Sequence, residues 1–118
     1  MIGSLWLVRA AWIFTIGFTL VLLWALLTPV AQLPKVPDLS DYVWHIGTFA
    51  TLVLPLCTIM PKQGAKIAVM AVLLGTLIEF IQPYFDRGFE IHDLGSNAIG
   101  IGLGWLISRP ISVFLFSR

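Results

Sequence analysis

Apolar residues run along this chain in four long stretches, each closed by proline or by a polar cluster. The first, Ala10 to Leu27, carries no charge. At 1.5 Å per residue it makes about 27 Å of helix, close to the ~30 Å hydrocarbon core of a bilayer. Pro29, Pro34 and Pro37 then form a helix-breaking connection. The second stretch runs from Tyr42 to Met60. Pro55 lies inside it, which predicts a kink and a freed carbonyl at Thr51, and Pro61 ends it. The third runs from Lys66 to Gln82 and stops before Pro83. The short connection from Pro61 to Lys66 predicts that it lies antiparallel beside the second. Tyr84 to His92 is polar and turn-forming, with Asp86-Arg87-Gly88 at its tip. The fourth stretch covers Asp93 to Ser108. Pro110 is expected to break the helix there, leaving Ile111 to Phe116 as a kinked end or an interfacial segment.

The pattern therefore predicts an all-α membrane protein: a four-helix transmembrane bundle in one domain over residues 1–118. Its spans fall at about 10–27, 42–60, 66–82 and 93–108. A cleaved leader is the competing reading of the first stretch. The long apolar run and the poor cleavage site at Pro29-Val30-Ala31 argue for a retained span.

Composition narrows the class further. Hydrophobic residues make up 58% and charged residues only 11%, against roughly 25% charged in soluble domains. So small a soluble domain could not cover its surface with these residues, and disorder is excluded for the same reason. The single Cys57 excludes a disulfide scaffold. A net charge of +1 without a basic stripe argues against a nucleic-acid partner.

Lys and Arg predict the orientation. Arg9, Lys62, Lys66, Arg109 and Arg118 fall on one side of a four-span chain, Lys35 and Arg87 on the other. This asymmetry predicts both termini in the cytoplasm. Trp6, Trp12 and Trp105 then fall near the inner interface, Trp24 and Trp44 near the outer one. The carboxylates sort to the outer half: Asp38, Asp41, Asp86, Glu90 and Asp93 in connections or at span ends, and Glu79 near the end of the third span.

Helical phase predicts a polar cluster. Asp41 and His45 are four apart on one face of the second helix, and Phe49 extends that face. Glu79 and Gln82 share a face of the third. Ala71 and Gly75 precede Glu79 at intervals of four, a small-residue stripe that turns Glu79 toward a neighbouring helix. Asp93 and Asn97 are four apart on the fourth helix, beside the stripe Ser96, Gly100, Gly104 and Ser108. That stripe contains GxxxG, a weak motif taken alone. Three helices thus bring Asp41, His45, Glu79, Gln82, Asp93 and Asn97 to a similar depth, with Arg87 and His92 within reach. Charges in hydrocarbon cost at least ~2.5 kcal/mol and face partners or water.

The ordered set Asp41, His45, Phe49; Gly75, Glu79, Gln82; Arg87, Asp93, Asn97, Gly100, Gly104 resembles the VanZ-like family of small membrane proteins. The resemblance covers about residues 41–104, more than half the chain. That family often carries Lys directly after the first Asp, where this chain has Tyr42. It often has Ser three after the Arg, where this chain has Glu90. The family is named for a protein associated with resistance to the glycopeptide teicoplanin. The resemblance implies a bacterial cytoplasmic (inner) membrane location and a role at the cell envelope.

The individual residues leave alternatives open. Asp41 and His45 are an Asp-oriented proton acceptor or an N-terminal helix carboxylate with an interfacial neighbour. Glu79 is a ligand, acid or cation-binding group, or a structural partner of Arg87 or the Asn97 amide. Arg87 and Asp93 are expected to close the loop as an ion pair, the alternative being recognition of an anionic head group by Arg87. Asp93 also suits a helix cap, and Asn97 a buried interhelical amide. His45, His92, Glu79 and Asp93 could supply metal ligands, but no short His spacing exists, so no metal or other cofactor is expected. Cys57 reads as core packing.

Three function classes remain. The leading one is a binding or accessory protein whose outer cluster holds a membrane lipid or lipid-linked amphiphile. A membrane-embedded enzyme acting on an envelope lipid or glycan would use His45 as base and Glu79 as acid. It lacks an obvious nucleophile beyond Ser96. A structural subunit of a larger membrane complex would use the cluster only to hold helices together. Transport would require a homo-oligomer.

Overall fold

The computed structural model describes residues 2–33, 41–85, 87–88 and 90–116. Four helices carry the fold: α1 (Ile2–Leu27), α2 (Asp41–Ile59), α3 (Gly64–Ile81) and α4 (Ile91–Phe116). Short 3₁₀ turns at Val30–Gln32, Pro61–Gln63 and Gln82–Phe85 join or extend them. All four helices are long and apolar enough to cross a membrane, and there is no strand among the described residues. Lys35, Asp38 and Asp86, the side chain of Asp41, and Arg118 lie outside the described residues.

Proline sets most of the boundaries. Pro61 opens the turn between α2 and α3, where the Gln63 N–H donates to the Met60 carbonyl at 2.9 Å. Pro83 falls in the turn after α3. Two boundaries differ from the sequence expectation. Residues 2–9 continue α1, because the exposed Arg9 stands away from the core and does not interrupt the helix. Pro110 does not interrupt α4, which runs on to Phe116. A proline removes one N–H and crowds the carbonyl four residues earlier, here Leu106. Leu106 and Pro110 are both exposed, so the ring takes no room from the core. Pro55 is likewise accommodated within α2.

The most extensive packing joins α2 and α4. Its cause is the GxxxG stripe. A Cβ on Gly100 would meet the Ile46 backbone, 2.9 Å from its Cα. One on Gly104 would lie 2.5 Å from the Ala50 carbonyl oxygen. Four residues along α4 thus correspond to four along α2, so the two helices run parallel and in step with backbones touching. Ser96, Gly100, Gly104 and Ser108 are all buried along this seam.

Helix α3 packs on both α2 and α4 through Ala68, Ala71, Gly75 and Ile78. A Cβ on Gly75 would stand 3.1 Å from the Phe49 ring, so α3 too approaches closely at its small stripe. Helix α1 packs on α2 and α3 and makes no contact with α4 among the described residues. Leu22, Phe49, Leu52, Val53, Cys57, Ala68, Ala71 and Ile101 form the core. The outward faces stay apolar: Ile13, Val69, Leu77 and Leu106 are all exposed. Four such faces together suit lipid and would be untenable in water.

Candidate functional site

The parallel pairing of α2 with α4 decides where the polar residues meet. Asp93 and Asn97, one turn apart on α4, face His45 on α2. His45 Nδ1 lies 2.8 Å from Asn97 Oδ1, and its Nε2 lies 3.5 Å from Asp93 Oδ2. His45 and Asn97 are buried, and Asp93 is partly so. With Asp93 ionised, two proton arrangements satisfy both contacts. An imidazolium donates from both nitrogens. A neutral ring donates from Nε2 to Asp93 and accepts at Nδ1 from an Asn97 amide turned end for end. Either way the ring is fixed between an amide and a carboxylate.

Glu79 stands behind this pair, 1% exposed, in the last turn of α3. Its Oε1 accepts the Glu90 backbone N–H at 2.6 Å, directly before α4 begins. The carboxyl group therefore ties α3 to the start of α4, where a helix favours an acceptor. Glu79 is also within electrostatic reach of Asp93, His45 and Glu90. Gly75 makes space for the arrangement, since its Cβ would sit 3.1 Å from Asn97 Nδ2. His45, Glu79, Asp93 and Asn97 thus form one cluster at the end of the bundle where α2 and α4 begin.

Gln82 and Arg87 serve a different task. Gln82 Nε2 donates to the Leu26 carbonyl at 2.8 Å. Arg87 Nη1 donates to the carbonyls of Ala25 at 3.0 Å and Thr28 at 2.8 Å. A helix leaves its last four carbonyls without intrahelical partners, and lipid offers none. Both side chains satisfy these orphans, and the guanidinium also complements the negative end of the helix dipole. This differs from the loop-closing bond to Asp93 expected from sequence. The recipient is more than fifty residues away, which spacing along a single helix does not reveal.

Arg87→Gln should therefore destabilise the protein by about 1.5–3 kcal/mol, the usual range for hydrogen bonds to a charged group. Amide exchange at residues 26–33 should rise more than anywhere else. An unchanged exchange rate there would show that the latch does not hold α1.

At the rim, the exposed Tyr42 and His92 pack edge to face with ring centroids 6.0 Å apart. His92 therefore stands with Tyr42 at the rim. Among the described residues no three His, Cys, Asp or Glu side chains are placed so that they could hold one metal ion. Cys57 is buried in the core toward the other end of α2. Ser96 is buried on α4. Sequence reasoning missed the Tyr42–His92 rim and the Glu79–Glu90 tie. Tyr42 lies three residues from His45, so helical phase already put it on the right face. A backbone N–H acceptor leaves no signal in residue type.

Compared with known proteins, the chain matches no family model, no curated protein and no solved structure.

Proposed function

We propose that this chain is a VanZ-like integral membrane protein of a bacterial cytoplasmic membrane, with both termini cytoplasmic. Its outward-opening cluster receives the head group of a lipid-linked envelope component or similar amphiphile. The observation that carries this reading is an excess of polar groups over structural need. Backbone contact at Gly100 and Gly104 already joins α2 to α4. Interhelical hydrogen bonds in membranes average only ~0.6 kcal/mol, so holding helices is a weak reason to keep His45, Glu79, Asp93 and Asn97 at this depth. With Arg87 and Gln82 Nε2 engaged on α1 and Gln82 Oε1 buried, contacts to a head group fall to His45, Asp93 and Asn97. Their imidazole, carboxylate and amide suit hydroxyl- or amide-bearing groups.

The enzyme reading has one favourable feature, the carboxylate beside the imidazole. It is the weaker reading because the sequence offers no nucleophile near the pair beyond Ser96, which carries no activating motif.

Two measurements test the proposal. Gly88→Cys in intact cells should react with a membrane-impermeant maleimide, and Lys62→Cys should react only after lysis. The reverse pattern overturns the orientation. Protein extracted in mild detergent should retain an amphiphile near one per chain by mass spectrometry. His45→Gln should lose it and Lys66→Gln should keep it. Equal lipid content in all three proteins would overturn the binding role.

A further inference from the structure

The end of the bundle remote from the cluster carries a second feature. Between the α2–α3 turn and the last turns of α4 lies a cavity of about 280 Å³, lined by Pro61, Arg109, Ser112, Val113 and Phe116. Three of these are apolar, and Arg109 brings a guanidinium to the opening. Lys62 stands in the turn that supplies Pro61, and Lys66 follows one turn into α3. No Asp or Glu occurs between residues 42 and 78, or after residue 93, so no acid from these segments offsets the positive charge.

Ser112 adds an uncharged donor to the same cavity. It is 6% exposed and lines the cavity. Ser108, one turn earlier, is instead turned back onto its own helix and donates to the Trp105 carbonyl at 2.5 Å. A lining hydroxyl donor beside a guanidinium favours an anionic acceptor.

We propose that this cavity seats the phosphate of an anionic phospholipid, with Arg109 and Ser112 as its donors and Pro61, Val113 and Phe116 against its glycerol and upper acyl chain. An apolar wall beside a basic mouth fits an amphiphilic anion better than a free one. The full aliphatic faces of the neighbouring helices already place lipid at this surface. The site is separate from the polar cluster and does not depend on the role assigned to it.

Ordinary attraction of anionic lipid to a basic surface is worth about 1 kcal/mol per Lys or Arg, so it weakens similarly for each charge removed. A seated phosphate behaves differently, and Ser112→Ala, which changes no charge, separates the two. The test is native mass spectrometry of the full chain titrated with dioleoyl phosphatidylglycerol in nonionic detergent. Melting temperature is followed on the same samples to confirm that each variant is folded. One phosphatidylglycerol should bind in preference to phosphatidylcholine. Ser112→Ala and Arg109→Gln should each weaken it about tenfold, the equivalent of a charge-assisted hydrogen bond. Lys66→Gln should weaken it less than either, and millimolar inorganic phosphate should not displace it. Equal losses in Arg109→Gln and Lys66→Gln with none in Ser112→Ala would overturn the site in favour of diffuse surface charge. Displacement by inorganic phosphate would overturn the lipid as its occupant.

Discussion

Gly100→Ala should lower the stability of the folded bundle by about 2–3 kcal/mol, the upper part of the usual range for overpacking. The new methyl group would stand against the Ile46 backbone, 2.9 Å from its Cα, and a backbone cannot turn aside as a side chain can. The helices α2 and α4 must then separate. Separation lengthens every contact along their seam, including the His45–Asn97 hydrogen bond. Gly104→Ala should behave alike, since its methyl group would meet both Ala50 and Val53. Gly102→Ala provides the internal control on the same helix. Nothing lies within 4 Å of its Cβ position. That variant should be unchanged or slightly more stable, by at most ~1 kcal/mol, from the better helix propensity of alanine. Thermal unfolding in one detergent would compare the three. Similar losses at positions 100 and 102 would contradict the close α2–α4 seam.

Glu79→Gln should have its largest effect on function, not on stability. The amide oxygen of glutamine can accept the Glu90 N–H as the carboxylate does, so the tie from α3 to the start of α4 persists. The Arg87 hydrogen bonds run to Ala25 and Thr28, and the substitution leaves them in place. The 3–5 kcal/mol loss typical of breaking a buried ion pair is therefore not expected, and the stability change should stay near the ~0.6 kcal/mol of an average interhelical bond. Retention of the bound amphiphile should nevertheless be lost, because the acid beside His45 and Asp93 has been replaced by an amide that cannot titrate. Glu79→Ala should differ. It leaves the Glu90 N–H without its acceptor and should cost about 1–3 kcal/mol. Normal retention by Glu79→Gln, or a large fall in its melting temperature, would move Glu79 from the binding site to the framework.

Much of this architecture is legible in the sequence because lipid imposes strong rules. Long apolar runs closed by Pro61 and Pro83 locate α2 and α3 closely. The fourfold spacing of Asp93 with Asn97 and the phase of Ala71, Gly75 and Glu79 place their shared faces correctly. What escapes depends on how helices pair. Spacing reveals that Gly100 and Gly104 permit close approach, but not that α2 takes that place within the same chain. The end of α1 is another such case. Its orphaned carbonyls are predictable from helix geometry, yet only the tertiary fold brings Gln82 and Arg87 to them. Proline at position 110 misleads for a simpler reason. Its consequences depend on whether the affected side faces the core or the outside of the bundle, and here it faces outward.

The central claim is that the outward cluster is a head-group site. The most direct test is a density map of the protein held in nanodiscs of its native lipid. A head-group-sized feature is expected within hydrogen-bonding distance of His45, Asp93 and Asn97, with an aliphatic tail leading from it between the helices. A compact four-coordinate ion, or side chains closed on one another with ordered water alone, would contradict it.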